Sequence, residues 1–229
     1  GGIPIYFSAR FAEPPTDWAS WAEDDFAQGV IDRKGTRLGA LFSFDLPEGG
    51  TVELQVGVSF TSVDAARANR EAELPAWDFD GTHQATEDTW EALLSTVRTE
   101  GGTDDQRTVM ATALYHSLVM PTVFDDADGT YVGFDGELHT SDGFTYFTDF
   151  SLWDTYRTQH PLLMLVYPDL QRDMVRSLMA MAEQGGYLPK WPQGRGYSNV
   201  MVGTPADIVV AESYLKGLTD FDADAALAV

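Results

Sequence analysis

Alternating apolar positions mark two β-strands in the first part of the chain. Apolar side chains occupy alternate positions from Leu38 to Phe44 and again from Val52 to Phe60. This period of two predicts half-buried strands, and the turn-forming residues 47–50 between them predict an antiparallel hairpin. Two strands cannot form a stable sheet by themselves. We therefore expect these strands to be the end of a larger β-domain.

The apolar period changes from two to about 3.6 after Phe60, which predicts helices for the rest of the chain. Thr103 and Gln106 form a possible capping box at the start of one helix, and Gly185-Gly186 can terminate another. The predicted helices cover 62–74, a short segment around 90–97, 103–120, 152–166, 169–184 and 204–217.

The loops between the later predicted helices differ greatly in length. Long loops follow the helices that end near Pro121 and Gln184, whereas the connections at Tyr167-Pro168 and Leu218–Phe221 are short. In an up-and-down array of helices, alternate connections lie at the same end. Both long loops should therefore share one face, and that face is the candidate functional site.

The composition limits the possible partners and chemistry. The 36 acidic against 14 basic residues give a formal charge of -22, which disfavours nucleic acid and anionic membranes but would not repel a neutral sugar. The absence of cysteine excludes disulfides and thiolate chemistry, so a metal would need oxygen ligands or the four histidines. No apolar run is long enough to predict a membrane span.

Trp153 and Asp154 are the first candidates for sugar binding. An indole offers an apolar face to a sugar ring, and an adjacent carboxylate can accept hydrogen bonds from two hydroxyls. The sequence also allows a structural interpretation, in which Trp153 lies in the core and Asp154 pairs with Arg157 at i, i+3 on a helix.

Two loop segments allow both functional and structural interpretations. The segment from Asp125 to Tyr131 resembles a calcium loop but lacks the terminal Glu of an EF-hand at the required spacing, which favours an Asp-Gly turn. The glycine-rich loop 185–203 precedes a helix, where free backbone donors could bind an anion, with Lys190 and Arg195 adding charge. Alternatively, its glycines only permit close packing.

Several segments, in the same order and spacing, resemble glycoside hydrolase family 92. The resemblance extends over about residues 103–220 and is specific, whereas residues 1–60 match the family's β-sandwich only loosely. The segments that carry it are 113–118, 126–129, 150–162, 183–191, 201–203 and 214–217.

This resemblance implies a β-sandwich followed by an (α/α)6 barrel. We expect residues 1–61 to be the C-terminal part of the sandwich, 62–102 a helical linker and 103–229 the first helices of the barrel. It also implies a calcium-dependent exo-α-mannosidase that inverts configuration and acts on mannose-containing glycans. The chain would then be an internal piece of a secreted or cell-surface bacterial enzyme, inactive by itself, with no catalytic residue in it.

The resemblance places Trp153 and Asp154 in the pocket for the terminal mannose, and the general acid and base beyond Val229. We also expect Trp191, Tyr197 and Asn199 of the glycine-rich loop to contact substrate. The metal ligands and the linkage specificity are not predicted.

Two departures from the family pattern leave other functions open. Many members have Asn-Glu-Thr where this chain has residues 196–198, and a His where it has Pro205. A changed pocket could suit a mannosyl phosphodiester, whose leaving group needs little protonation. A non-catalytic carbohydrate-binding protein is the third alternative.

Overall fold

A computed structural model describes residues 2–228 and shows a mixed fold, in which a strand-rich region precedes a helical one. The strand-rich region forms two small antiparallel sheets, β1-β5 and β3-β2-β4. Its strands are β1 (Tyr6–Phe11), β2 (Asp17–Ala22), β3 (Asp25–Gln28), β4 (Leu38–Ser43) and β5 (Leu54–Ser59).

The predicted hairpin between β4 and β5 is wrong. β4 pairs with β2, with Trp18 opposite Phe42, and β5 pairs with β1, with Phe7 opposite Val58. Alternation along a strand indicates that its two faces differ, but it does not identify the neighbouring strand. The two predicted strands exist, but they belong to different sheets.

The buried face of β5 is also the opposite of the predicted one. Gln55, Gly57 and Ser59 face inward, while Leu54, Val56 and Val58 remain about half exposed. The inward face packs against α1 (Val63–Glu73), where the missing side chain of Gly57 lets the helix backbone come close. Packing against this helix therefore decides which face of the strand is buried.

Local signals place most helices where the sequence predicts them. The side chain of Ser62 caps α1, and Thr103 and Gln106 form the predicted capping box. The short helix expected around Trp90 is longer than predicted, since it begins after Asp78. The remaining helices are α2 (Phe79–Leu94), α3 (Asp104–Val119), α4 (Leu152–Thr155), α5 (Gln159–Val166), α6 (Pro168–Gly185), α7 (Pro205–Leu215) and α8 (Ala223–Ala228).

The predicted helix 152–166 is interrupted, because α4 ends at Thr155 and α5 begins at Gln159. Pro161 explains this break, since its ring would clash with the carbonyl of residue 157 in a continuous helix. In the first turn of α5 the missing N–H of Pro161 costs nothing. The break leaves α4 as a single turn at the face where the long loops lie.

The main core lies between α5, α6 and α7 and extends into the first long loop. α6 contributes Val175, Leu178 and Met181, all fully buried, and Tyr146 and Phe150 of the loop pack against them. The core thus fixes the end of that loop immediately before α4. The short strands in the long loops are β6 (Thr122–Val123), β7 (Thr130–Val132), β8 (Leu138–Thr140), β9 (Phe147–Thr148), β10 (Pro192–Gln193) and β11 (Gly196–Tyr197).

Candidate functional site

The two long loops, residues 120–151 and 186–204, contact each other as the sequence predicts. Gly194 lies between two side chains of the first loop: its carbonyl accepts a hydrogen bond from Thr148 Oγ1 at 2.6 Å, and its N–H donates to Asp149 Oδ1 at 2.9 Å. The ring of Tyr197 meets Phe134 edge to face, with 4.8 Å between centroids. The loops therefore form one continuous surface.

The acidic segment that begins at Asp125 anchors the first loop to the strand-rich region. Asp126 is buried, and its Oδ2 accepts hydrogen bonds from Ser59 Oγ at 3.0 Å and Thr61 Oγ1 at 2.5 Å. Its Oδ1 accepts from Asn69 Nδ2 at 2.7 Å. Gly129 N donates to the Asp126 carbonyl at 2.8 Å, which closes the expected Asp-Gly turn. This carboxylate has a structural role that the sequence did not indicate.

Trp153 and Asp154 lie in α4, beside the end of the second loop. The half-buried Trp153 ring contacts Gly203, where a Cβ would come within 3.0 Å of it. Asp154 is exposed, and its Oδ2 accepts a hydrogen bond from Ser151 Oγ at 2.6 Å. Ser151 therefore holds one carboxylate oxygen of Asp154, while the carboxylate group faces solvent.

The alternative ion pair between Asp154 and Arg157 is absent from the described part of the chain. Arg157 instead donates to the backbone carbonyl of Trp153, and its guanidinium lies 4.5 Å from the centre of the indole and 4.4 Å from that of Tyr156. These distances are typical of cation–π contacts. The guanidinium covers part of the indole, and no cationic side chain among residues 2–228 forms an ion pair with Asp154.

Trp191 lines a cavity of about 500 Å³ between the loops and the first residues of the chain. Asp149, Ser151 and Gln193 contribute polar groups to the same cavity. Because Ser151 also bonds to Asp154, Trp191 and Asp154 belong to one connected region. Asp149 and Gln193 were not predicted as site residues, since no sequence pattern distinguishes them from other polar loop residues.

Tyr197 and Asn199 occupy different environments within the glycine-rich loop. Tyr197 stacks on Tyr187 with 4.1 Å between ring centres, and its hydroxyl donates to the Tyr187 carbonyl at 2.6 Å. Partial burial raises the pKa of Tyr197, which keeps the phenol protonated. Its hydroxyl thus stabilises the loop, whereas Asn199 is exposed with a left-handed φ of 57°.

Residues 2–228 contain no group of three or more His, Cys, Asp or Glu side chains that could hold a metal ion. No chemical step is therefore assigned to a metal ion held by these side chains. Within the same residues, no helix is both long enough and apolar enough to cross a membrane.

An indole, an exposed carboxylate and a cavity lined by both apolar and polar groups where two loops meet are typical of a carbohydrate-binding protein. Comparison with known families identifies the class further. The model of the glycosyl hydrolase family 92 catalytic domain matches residues 65–229. The chain therefore belongs to glycosyl hydrolase family 92, as the resemblance of its motifs predicted.

Solved structures of this family are similar to the chain over nearly its whole length. The family 92 inverting mannosidase from Bacteroides thetaiotaomicron VPI-5482 superposes with a TM-score of 0.93 at 27% identity, covering 100% of this chain and 32% of that one. A family 92 α-mannosidase from Bacteroides thetaiotaomicron gives a TM-score of 0.89 at 29% identity, covering 98% and 31%. The latter also has a structure in complex with mannoimidazole.

A relative known from sequence is an uncharacterized secreted glycosidase from Arthroderma benhamiae. It is 27% identical over 175 residues, which cover 74% of this chain and 18% of that protein. The chain thus spans about a third of the length of the solved structures and less than a fifth of this relative.

Proposed function

We propose that the full-length protein is a secreted exo-acting glycosidase that removes terminal α-linked mannose from glycans. The observation that carries this proposal is the exposed Asp154 carboxylate beside the Trp153 indole, where the two long loops meet. Support comes from the family and from the mannosidases among the similar structures. The secreted glycosidase relative supports an extracellular location.

In this proposal Asp154 binds two hydroxyls of the terminal mannose, and Trp153 packs against its ring. Ser151 holds one carboxylate oxygen by donating to it, so the group is oriented before substrate arrives. Arg157 covers part of the indole, which leaves its remaining surface for the sugar. Trp191, Tyr197 and Asn199 remain proposed contacts on the glycine-rich loop, with Tyr197 acting mainly by supporting the loop.

The proposed reaction inverts the configuration at C1 of mannose. A water molecule adds to C1 while the bond to the leaving oxygen breaks; a general base takes a proton from the water, and a general acid protonates the leaving oxygen. Such a pair of carboxyl groups is about 6.5–9.5 Å apart in inverting enzymes. We assign neither role to residues 2–228 and propose that both lie beyond Val229, so residues 1–229 alone should be inactive.

The finer description of the fold belongs to the same proposal. Residues 1–61 would complete a β-sandwich, 62–102 would link the domains, and 103–229 would start an (α/α)6 barrel. The long loops would then lie at the end of the barrel that carries the site. Superposition on the family 92 mannosidases supports this arrangement.

The experiment that tests the function is removal of the Asp154 carboxylate in the full-length protein. Charge-assisted hydrogen bonds contribute about 1.5–3 kcal/mol each, so Asp154→Ala should lower kcat/KM for an α-mannoside roughly tenfold to a hundredfold. The thermal unfolding temperature should change little, because Asp154 is exposed and accepts one side-chain hydrogen bond.

Asp169→Ala is the matched control, because Asp169 also lies in the first turn of a helix and is exposed. It pairs with Arg172 at 2.8 Å, a contact typically worth about 0.2–0.5 kcal/mol. We expect this control to retain wild-type kcat/KM. A twofold or smaller loss for a folded Asp154→Ala variant would disprove the sugar-binding role. Cleavage of mannosyl phosphodiesters but not of α-mannosides would favour a mannosyl phosphodiester hydrolase. Binding of mannose glycans without turnover would favour a non-catalytic carbohydrate-binding protein.

A further inference from the structure

The half-buried Trp153 ring of the proposed sugar site lies on a very short helix. α4 contains only Leu152–Thr155, and no backbone N–H among residues 2–228 donates to the Trp153 carbonyl. The last carbonyls of a helix need partners from outside the helix, and a single turn is too short to be stable by itself. The orientation of the indole therefore depends on contacts with other residues.

Arg157 makes two contacts with this one residue. Its Nη1 donates to the Trp153 carbonyl, and its Cζ lies 4.5 Å from the centre of the Trp153 ring. The same Cζ lies 4.4 Å from the centre of the Tyr156 ring. Because one rigid planar group holds both the backbone and the ring of Trp153, it restricts rotation about the side-chain bonds of Trp153.

These contacts, and not an ion pair, explain where the Arg157 side chain lies. An exposed arginine in a chain with 36 acidic residues would be expected to pair with a carboxylate. Within residues 2–228, however, its partners are two aromatic rings and one backbone carbonyl. The guanidinium therefore holds the aromatic side chains in place, and it neutralises no acidic group in this part of the chain.

The second long loop confines the indole at another place. A Cβ at Gly203 would lie 3.0 Å from Cζ3 and 3.6 Å from Cε3 of Trp153, and both atoms belong to the six-membered ring. Arg157 and the loop backbone thus both limit the movement of the ring. The indole is still only half buried, so part of its surface is accessible to a sugar.

We propose that Arg157 is a positioning residue, which fixes the Trp153 indole beside Asp154 before the terminal mannose binds. A mobile ring would have to be ordered when the sugar binds, and this ordering would lower the affinity. Arg157 acts through Trp153 and need not contact the sugar. The inference rests on the proposed function, because Trp153 is the ring that the sugar is proposed to contact.

Arg157→Met in the full-length protein is the direct test, because Met has a similar length but neither charge nor donor. We expect KM for an α-mannoside to rise about fivefold, which is the size expected from the loss of an exposed cation–π contact. The value of kcat should stay within about twofold, since the indole contacts the sugar before and during the reaction. Arg157→Lys keeps a cation and a donor, so it should recover most of the loss.

Arg107→Met is the matched control. Arg107 is also exposed, and its Nη1 donates to the backbone carbonyls of Gly101 at 3.0 Å and Gly102 at 2.9 Å. It lies in the first turn of α3, away from the long loops. We expect Arg107→Met to keep the wild-type KM. An equal rise of KM in both variants would overturn the proposal.

A double variant shows whether Arg157 acts through Trp153. Trp153→Leu keeps an apolar side chain at this half-buried position but has no aromatic ring to hold. If Arg157 only positions the indole, adding Arg157→Met to Trp153→Leu should raise KM no further. Additive effects of the two substitutions would mean that Arg157 affects binding by another route, and they would overturn the proposal.

Crystal structures of the wild type and of Arg157→Met test the position of the ring without any turnover. We expect one Trp153 rotamer in the wild type and a changed rotamer, or several, in the variant. The same single rotamer in both would overturn the proposal, as would an unchanged KM in Arg157→Met. If the wild type cleaves no α-mannoside, the proposed function fails, while the two crystal structures still decide whether Arg157 fixes the ring.

Discussion

Asp126 connects the first long loop to two elements outside it. Its carboxylate accepts from Ser59 at the end of β5, from Thr61 just after that strand, and from Asn69 of α1. Asn69 Oδ1 in turn accepts from the Ala127 N–H at 2.8 Å. The stacked rings of Phe60 and Phe124, 4.3 Å apart, lie beside this network. The junction therefore combines apolar packing with hydrogen bonds between buried polar groups.

Asp126→Ala should lower the free energy of unfolding by about 2–3 kcal/mol, because three donors would lose a charged acceptor in a buried site. Urea denaturation measures this change. Asp128→Ala is the control on the same turn, since Asp128 is exposed and its side chain accepts from Thr130 N at 2.9 Å. We expect Asp128→Ala to lower the free energy of unfolding by less than about 1 kcal/mol. Equal losses for the two variants would contradict the junction role of Asp126.

His160 is buried, and its hydrogen bonds determine its tautomer. Ser213 Oγ donates to the Val209 carbonyl at 2.7 Å, so the Gln171 amide donates to Ser213 at 3.1 Å. Gln171 Oε1 then accepts from His160 Nδ1 at 2.9 Å. His160 Nε2 is consequently the unprotonated nitrogen, and it has no partner among the described residues.

Burial lowers the pKa of His160, although the bond to Gln171 and the charge of Glu212 oppose this shift. The unfolded chain therefore takes up a proton at this residue at higher pH than the folded protein does. The free energy of unfolding should fall as pH drops below the ordinary histidine pKa of about 6.5. Urea denaturation at several pH values from about 7.5 to 5 measures the slope.

His160→Asn should flatten this pH dependence, because Asn can donate from a similar position but does not titrate. The control is His83→Asn, because His83 is an exposed histidine. In this variant the free energy of unfolding should depend on pH as it does in the wild type. If both variants retain it, the pH dependence arises elsewhere.

At the scale of elements, the end of the second loop is expected to determine where the Trp153 ring lies. Gly203 precedes α7 with a left-handed φ of 73° and contacts the indole directly. Gly217 follows α7 with a φ of 96°, and a Cβ there would meet no atom within 4 Å. Replacing either glycine by a residue with a side chain would therefore strain the backbone, because both have a left-handed φ. Only Gly203 also contacts the proposed site.

Gly203→Ala should lower kcat/KM several-fold in the full-length protein, because the new methyl group displaces Trp153. Both Gly203→Ala and Gly217→Ala should lose about 1–2 kcal/mol of stability from the left-handed conformation. Gly217→Ala should keep wild-type kcat/KM at a temperature where both variants are folded. The same kinetic loss in both would show that helix position, and not contact with Trp153, causes the effect.

At the scale of the whole molecule, calcium dependence remains a prediction that rests only on the family resemblance. Residues 2–228 contain no group of three or more His, Cys, Asp or Glu side chains that could hold a metal ion. We expect the full-length protein to lose activity in a chelator and to regain it with calcium but not with zinc. Calcium binds about six to eight oxygen ligands, whereas zinc prefers about four ligands and often binds nitrogen or sulfur, so zinc should not replace calcium in an oxygen-lined site. Activity of the confirmed metal-free protein would contradict this prediction.

The sequence by itself determined the features that depend on local interactions. The capping box at Thr103 and the helix end at Gly186 each depend on residues within four positions. The break before Pro161 is equally local, although the continuous apolar pattern around it predicted one helix. The family motifs around Trp153 also identified the class of protein. Such features are predictable because helix signals act between near neighbours in sequence.

Only the tertiary structure decided which distant residues contact each other. It paired β5 with β1, turned Leu54, Val56 and Val58 outward, and directed the Tyr197 hydroxyl to a backbone carbonyl. It also placed Asp149 beside Trp191 in a cavity that no motif marks. Strand partners, buried faces and cavities depend on packing between segments far apart in the chain, so the local pattern of polar and apolar residues does not specify them.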